Sequence, residues 1–254
     1  MLEAGTSLER LHPVTLQMAY MWADRLSETN MGYPALKTWN YFMADSDGDT
    51  LLHIAIILCR SNIALLLIAC APTRGWLSQQ NTSFQSPLHL AVLTDQPEMV
   101  YALFCAGADL LVQDANGNTP LHVAVRDGQI QMTGLILQGP HSIRNCRIRN
   151  YEGLTCVHLA ANGRHVALVQ LLVVRGADVN ACEGKTGRTA LHNACVSGDV
   201  AMVRALIRVK TCNLNARAYD GLTPFDLARA WGHEEVCTVL AAQGAMTAED
   251  DSDF

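Results

Sequence analysis

Six phrases recur along the chain at nearly constant spacing: DTLLHIAI, SPLHLAV, NTPLHVAV, LTCVHLAA, RTALHNAC and LTPFDLARA. Five centre on a histidine (His53, His89, His122, His158, His192), the sixth has Asp226 there, and the steps are 36, 33, 36, 34 and 34 residues. A period in this range marks one supersecondary unit used repeatedly, each copy unable to bury its apolar face alone and so stacking on its neighbours. A second signature, GAD, returns about 18 residues after two of the histidines, at Gly107 and Gly176, with QGA at Gly244. No active site needs five copies of one base, so the repeat itself argues for a structural role of these histidines.

Each copy reads as two helices. In the third, Thr119 is an N-cap and Pro120 takes the first helical position, where a missing N–H costs nothing. Leu121, Ala124 and Val125 then share one face, Gly128 ends the helix, and residues 130–137 form a second apolar helix. The same stop recurs at Gly198 and Gly232. The turn signals DSDGDT, QDANGNT, RNYEGLT and RAYDGLT predict a β-hairpin finger between successive helix pairs. The expected fold is therefore all-α, a solenoid of six helix-turn-helix repeats with hairpin fingers. The repeats would occupy about 45–81, 82–114, 115–150, 151–184, 185–218 and 219–246, after a partly helical extension (1–44) and before an acidic, disordered tail (247–254).

Composition narrows the function. Half the residues are hydrophobic but only 6% aromatic, which suits closely packed helices. A net charge of −6 argues against nucleic acid as a direct partner. Nine cysteines, an odd number without a C-x-x-C pair, read as reduced thiols of an intracellular protein acting as small hydrophobes, and no zinc-type cluster is present. The most apolar stretch, residues 51–71, is divided by His53, Arg60, Ser61 and Asn62 into runs too short to span a bilayer. His233-Glu234-Glu235 misses the zinc-protease pattern because Cys237 stands at its last position, and neither a G-x-S-x-G nor a phosphate loop occurs. The expectation is a protein that is not an enzyme, with no cofactor, small-molecule ligand or membrane partner.

The run Thr119 to Ala124 matches T-P-L-H-x-A, and the chain over residues 45–246 resembles the ankyrin-repeat family. That resemblance implies that Thr119 and the five histidines fasten the loops by hydrogen bonds. Departures from the repeat then point towards function. Asp45, Asp47 and Asp49 share one finger, where they either attract a basic peptide or simply suit a tight turn. Asp226 is not expected to replace the histidine's loop hydrogen bonds, which leaves a weaker last repeat. Trp231, just before Gly232, is either a binding anchor or packing against the tail. The tail, MTAEDDSDF, is either solubilising or a competitor for a basic groove on a partner.

The phrases DSDGDTLLHIAI, SPLHLAVLTDQPEMV, GNTPLHVAV, RNYEGLTCVHLAA and NACEGKTGRTALH, with the tail QGAMTAEDDSDF, resemble the IκB family of NF-κB/Rel inhibitors. The resemblance implies a cytoplasmic protein, shuttling to the nucleus, whose partner is the Rel homology region of a Rel dimer. It would mask the dimer's nuclear localisation signal and block DNA binding. By position it nominates Asp45, Asp47 and Asp49 for the basic signal. Tyr151, Glu152, Tyr219, Asp220 and Trp231 become candidates for the dimerisation domains, and Glu249, Asp250, Asp251 and Asp253 for the DNA-binding surface. Residues 1–44 hold no Asp-Ser-Gly-x-x-Ser phosphodegron, and only Lys37, Lys185 and Lys210 offer ubiquitin acceptors, so a constitutive inhibitor is one expectation and a truncated regulated one the other. The remaining alternative is a generic ankyrin adaptor.

Overall fold

The computed structural model describes residues 43–139 and 141–248, in two compact units that meet in sequence at Ala115 and Asn116. The first unit contains α1 (Leu51–Ile57), α2 (Ser61–Ala69), a 3₁₀ turn (Arg74–Ser78), α3 (Pro87–Leu93) and α4 (Pro97–Ala106). The second contains α5 (Pro120–Arg126), α6 (Ile130–Ile136), α7 (Ser142–Arg147), α8 (Cys156–Asn162), α9 (Val166–Val174), α10 (Ala190–Val196), α11 (Val200–Ile207), α12 (Pro224–Ala230) and α13 (Glu234–Ala241). Among the described residues six helix pairs follow one another, and α7 stands outside that alternation.

Seven-residue helices are too short to be stable alone, so packing must supply their stability. Within the second unit the leading helices α5, α8, α10 and α12 pack in one row and α6, α9, α11 and α13 in another. A leading helix is thus contacted on several sides at once. In α5 the side chains from Pro120 to Val125 are all buried, which is why its apolar residues are not confined to one stripe.

Each leading helix opens with a capping box. Thr50, Ser86, Thr119, Thr155, Thr189 and Thr223 are the N-caps, and the third helical residue reaches back to the cap: histidine in five, Asp226 in the sixth. In α8 the Thr155 backbone N–H donates to His158 Nδ1 (3.3 Å), which makes Nδ1 the acceptor and leaves the ring proton on Nε2. Nε2–H then donates to the carbonyl of Arg188 (3.1 Å), at the mouth of the next helix pair. His53, His122 and His192 make the matching contacts to the carbonyls of Gln85, Ile148 and Leu222. The box therefore closes its own helix and ties it to the next segment.

Asp226 departs from the expectation that it cannot do this work. Its carboxylate accepts from the Thr223 N–H (3.0 Å) and hydroxyl (2.8 Å), and also from the backbone N–H of Ala248 (3.0 Å). A carboxylate has no proton to give a following carbonyl, so it captures an N–H instead and anchors the segment after α13. Met246 N–H donates to Asn215 Oδ1, and Arg217 donates to the Ala248 carbonyl, completing the clasp. Asp226→Ala is expected to cost about 1–3 kcal/mol, the range for orphaned buried donors. Amides 246–248 should lose hydrogen-exchange protection while α8 keeps its own; unchanged protection at 246–248 would refute the clasp.

The expected β-hairpin fingers are corrected: no strand occurs among the described residues. Two of the fingers close with a pair of backbone bonds each, Asn150 N–H to Leu154 C=O with Gly153 N–H to Asn150 C=O, and Ala218 N–H to Leu222 C=O with Gly221 N–H to Ala218 C=O. Successive fingers within the second unit are joined through the backbone, Tyr151 N–H to Asn116 C=O, Gly184 N–H to Gly153 C=O and Tyr219 N–H to Thr186 C=O, and Asn150 Nδ2 adds a bond to Asn118 Oδ1. These bonds link the turns without building a ladder. Between the third and fourth helix pairs stands α7. There Cys146 is buried, Ile143 lies against the turn at Gly176, and Asn145 Oδ1 accepts from the Thr119 hydroxyl (3.0 Å).

Candidate functional site

The candidate contact residues come from the finger tips. Tyr151 and Tyr219 each follow the turn-closing residue of a finger, and each ring lies on a glycine of the preceding finger, Gly117 and Gly187. Both glycines have positive φ (75° and 72°), and a Cβ at either would collide with the tyrosine ring. Glycine thus serves twice there, for the turn and for the close approach of an aromatic. The tyrosines nonetheless remain 70% and 71% exposed, each with one side on its glycine and much of the rest in solvent.

An acidic residue follows each tyrosine. Glu152 is exposed, its backbone N–H donating to Asn150 Oδ1 (3.1 Å). Asp220 accepts from the Leu222 N–H through Oδ1 (3.1 Å), while its Oδ2 lies 3.9 Å from Arg188 Nη2. The second unit therefore presents aromatic–carboxylate pairs on two fingers, with the Glu183–Gly187 turn between them. An exposed, immobilised tyrosine loses little entropy when a partner covers it, which makes such pairs suitable protein contacts.

Trp231 does not join this edge. It caps the C-terminus of α12, 63% exposed, while the finger precedes the N-terminus of the same helix. A seven-residue helix, about 10 Å long, separates the two. Trp231 and the tyrosines accordingly belong to different patches.

In the first unit the three aspartates share one finger but not one job. Asp45 Oδ1 accepts from the N–H groups of Asp47 and Asp49 (both 2.9 Å), a turn-forming role. Asp49 Oδ1 accepts from Asn81 Nδ2 (2.9 Å), joining the next finger, and Asp47 holds that finger through its carbonyl, which accepts from the Thr82 N–H and hydroxyl. Asp45 and Asp47 remain exposed. Glu249, Asp250, Asp251 and Asp253 lie outside the described residues, as does the extension up to residue 42.

The histidines of the capping boxes, by contrast, are buried. Burial disfavours the imidazolium and holds His53, His158 and His192 below the ordinary histidine range. The thiols follow the same logic: burial raises Cys146 and Cys212 to about 11 and Cys195 to about 12. No disulfide joins the nine cysteines. Among the described residues no group of three His, Cys, Asp or Glu side chains is placed to hold a metal ion.

One set of residues escaped the sequence reading. His165 Nε2 lies 3.4 Å from the Arg126 carbonyl, His233 Nε2 lies 3.0 Å from the Val196 carbonyl, and Gln96 Nε2 donates to the Ile56 carbonyl (2.7 Å). Each latches the start of a second helix onto the end of the leading helix of the preceding pair. All three sit seven residues after the box position (158, 226 and 89), a spacing visible in the sequence.

Short capped helix pairs and linked turns define a repeat protein. The family described as "Ankyrin repeats (3 copies)" matches residues 88–182 and 158–251. The crystal structure of the ankyrin repeat domain of Bcl-3, described as "a unique member of the IkappaB protein family", superposes with a TM-score of 0.73 at 34% identity, covering 79% of this chain and 89% of that one. NF-kappa-B inhibitor alpha of Homo sapiens is 43% identical over 143 residues, 54% of this chain and 44% of that protein. NF-kappa-B inhibitor cactus of Drosophila melanogaster is 34% identical over 249 residues, 86% of this chain and 50% of that protein. The nuclear factor NF-kappa-B p105 subunit of Gallus gallus is 34% identical over 204 residues, 79% of this chain and 21% of that protein. The chain belongs to the ankyrin-repeat family and is an IκB-like member of it. It spans from about a fifth to a half of the length of these curated relatives.

Proposed function

We propose that the chain is a non-enzymatic inhibitor of NF-κB/Rel transcription factors, acting in the cytoplasm and shuttling to the nucleus. It binds the Rel homology region of the dimer, masks the nuclear localisation signal and blocks DNA binding. The observation that carries this is its likeness to NF-kappa-B inhibitors, 43% over 143 residues for the human alpha protein. In this reading the six repeats and their fingers form the contact surface. Asp45 and Asp47 meet the basic signal, with Asp49 holding their finger in place. The pairs Tyr151–Glu152 and Tyr219–Asp220 contact the dimerisation domains. Trp231 contacts the dimerisation domains from its separate patch, and the acidic residues Glu249, Asp250, Asp251 and Asp253 face the basic DNA-binding surface.

The test is release of labelled DNA from a Rel dimer, followed by fluorescence anisotropy. Residues 1–254 at micromolar concentration should displace the DNA, and Tyr151→Ala with Tyr219→Ala should weaken binding at least tenfold, as loss of aromatic anchors does. Removing residues 249–254 should weaken displacement more at low salt than at high salt, because the tail acts by charge. The cut belongs after Ala248, whose amide is held by Asp226. A DNA complex left intact by the full chain overturns the reading.

A further inference from the structure

Five fingers place a glycine two residues before the helix cap: Gly48, Gly117, Gly153, Gly187 and Gly221, with φ between 72° and 85°. The second finger places Phe84 there, at φ 57°. Its N–H closes the turn on the Asn81 carbonyl (2.9 Å), as Gly153 and Gly221 close theirs, so both residue types do the same backbone job. For an L side chain this region brings Cβ against the following carbonyl, and a phenyl ring has no local hydrogen bond to offset that. Cys59, Asp95, His141 and Arg164 also have positive φ, but each leads directly into a helix; among the described residues Phe84 is the one side chain so placed in a finger.

The second finger is built to hold it. Asn81 Oδ1 accepts from the Ser83 and Gln85 N–H groups (3.1 and 2.9 Å), and the Asn81 N–H donates to the Gln85 carbonyl (3.0 Å). Gln80 Nε2 donates to the carbonyl of Phe84 itself. A strained residue persists only where its surroundings over-determine it, and such residues cluster at binding sites. Burial is not what Phe84 gains, since it stays 56% exposed. The first finger adjoins it, because the Thr82 N–H and hydroxyl donate to the Asp47 carbonyl. Residues 44–50 and 79–86 together hold three aspartates and no lysine or arginine.

We propose that Phe84 is the aromatic anchor for the basic segment of the Rel partner, an inference that rests on the inhibitor reading above. A lysine or arginine of that segment lays its apolar stem and its charge over the exposed ring, as cations pack on aromatic faces. Neighbouring basic residues meet the exposed Asp45 and Asp47 on the adjoining finger. Glycine in the other fingers eases the turn and offers a partner no side chain. Phenylalanine strains the turn and supplies one.

Fluorescence anisotropy tests this with a labelled Rel dimer, once with its basic segment and once with that segment removed. Phe84→Gly should weaken binding of the complete dimer at least about tenfold, while Phe84→Tyr should stay within about twofold. Neither change should matter to the dimer lacking the segment. Glycine suits the backbone there, so Phe84→Gly should not lower the urea midpoint, which separates a lost contact from a lost fold. Unchanged affinity in Phe84→Gly overturns the proposal and leaves the inhibitor reading standing. So does an equal loss with and without the basic segment, or an affinity loss that only follows a fallen urea midpoint. An unmodified chain that binds neither dimer overturns the inhibitor reading and this inference with it.

Discussion

His158→Ala is expected to lower the stability of the second unit by about 2–4 kcal/mol. His158 is fully buried, and both ring nitrogens are engaged, Nδ1 by the Thr155 N–H and Nε2 with the Arg188 carbonyl. Alanine would strand a buried donor and acceptor and leave a hole the size of an imidazole; the first term is worth about 1–3 kcal/mol and the second adds to it. Since repeat proteins sum local and nearest-neighbour terms, the loss should concentrate in α8 and the pairs touching it, α5 and α10. Urea unfolding with hydrogen exchange checks both size and place. A loss under 1 kcal/mol, or one confined to the 183–188 turn, would show that the box is dispensable.

Acidification should destabilise the fold through the same groups. The sign follows from protonation: His53, His158 and His192 hold their protons less tightly when folded than the ordinary 6.5, because burial penalises the charged ring. Below that value the unfolded chain binds more protons, so stability is complete above about pH 6.5 and falls as pH drops towards the folded values. Each histidine contributes at most about 1.4 kcal/mol per pH unit. A proton on Nδ1 would also point at the cap N–H that Nδ1 now accepts. The urea midpoint should fall clearly between pH 7 and pH 5.5, and α12, whose box uses Asp226, should lose less protection than α8 and α10. A flat midpoint over that range would contradict the buried, neutral assignment.

Much of this was legible in the residues. The 33–36-residue step, the Thr-Pro caps and the glycine stops required short helix pairs, and the multiplicity of the histidines marked them as structural. The finger tyrosines are legible as candidates, but not the reason for their setting: Gly117 reads as a turn former, Gly187 carries no such signal, and only packing shows that both seat a ring. The residues do not specify hairpins, because Asp-Gly turns announce a reversal of the chain and not how many bonds its arms will share. The helix α7 and the latches of Gln96, His165 and His233 went unread, since their partners lie 26 to 40 residues away.

Asp226 divides the two kinds of knowledge most sharply. The sequence by itself determined that the sixth box lacks a histidine and keeps its threonine and proline, since identity and spacing are local facts. Whether that box was broken could be decided only by the tertiary structure. The answer depends on what lies beside the carboxylate, and the Ala248 N–H, 22 residues away, is delivered there by the turn after α13. Local chemistry specified an acceptor; the fold supplied the donor.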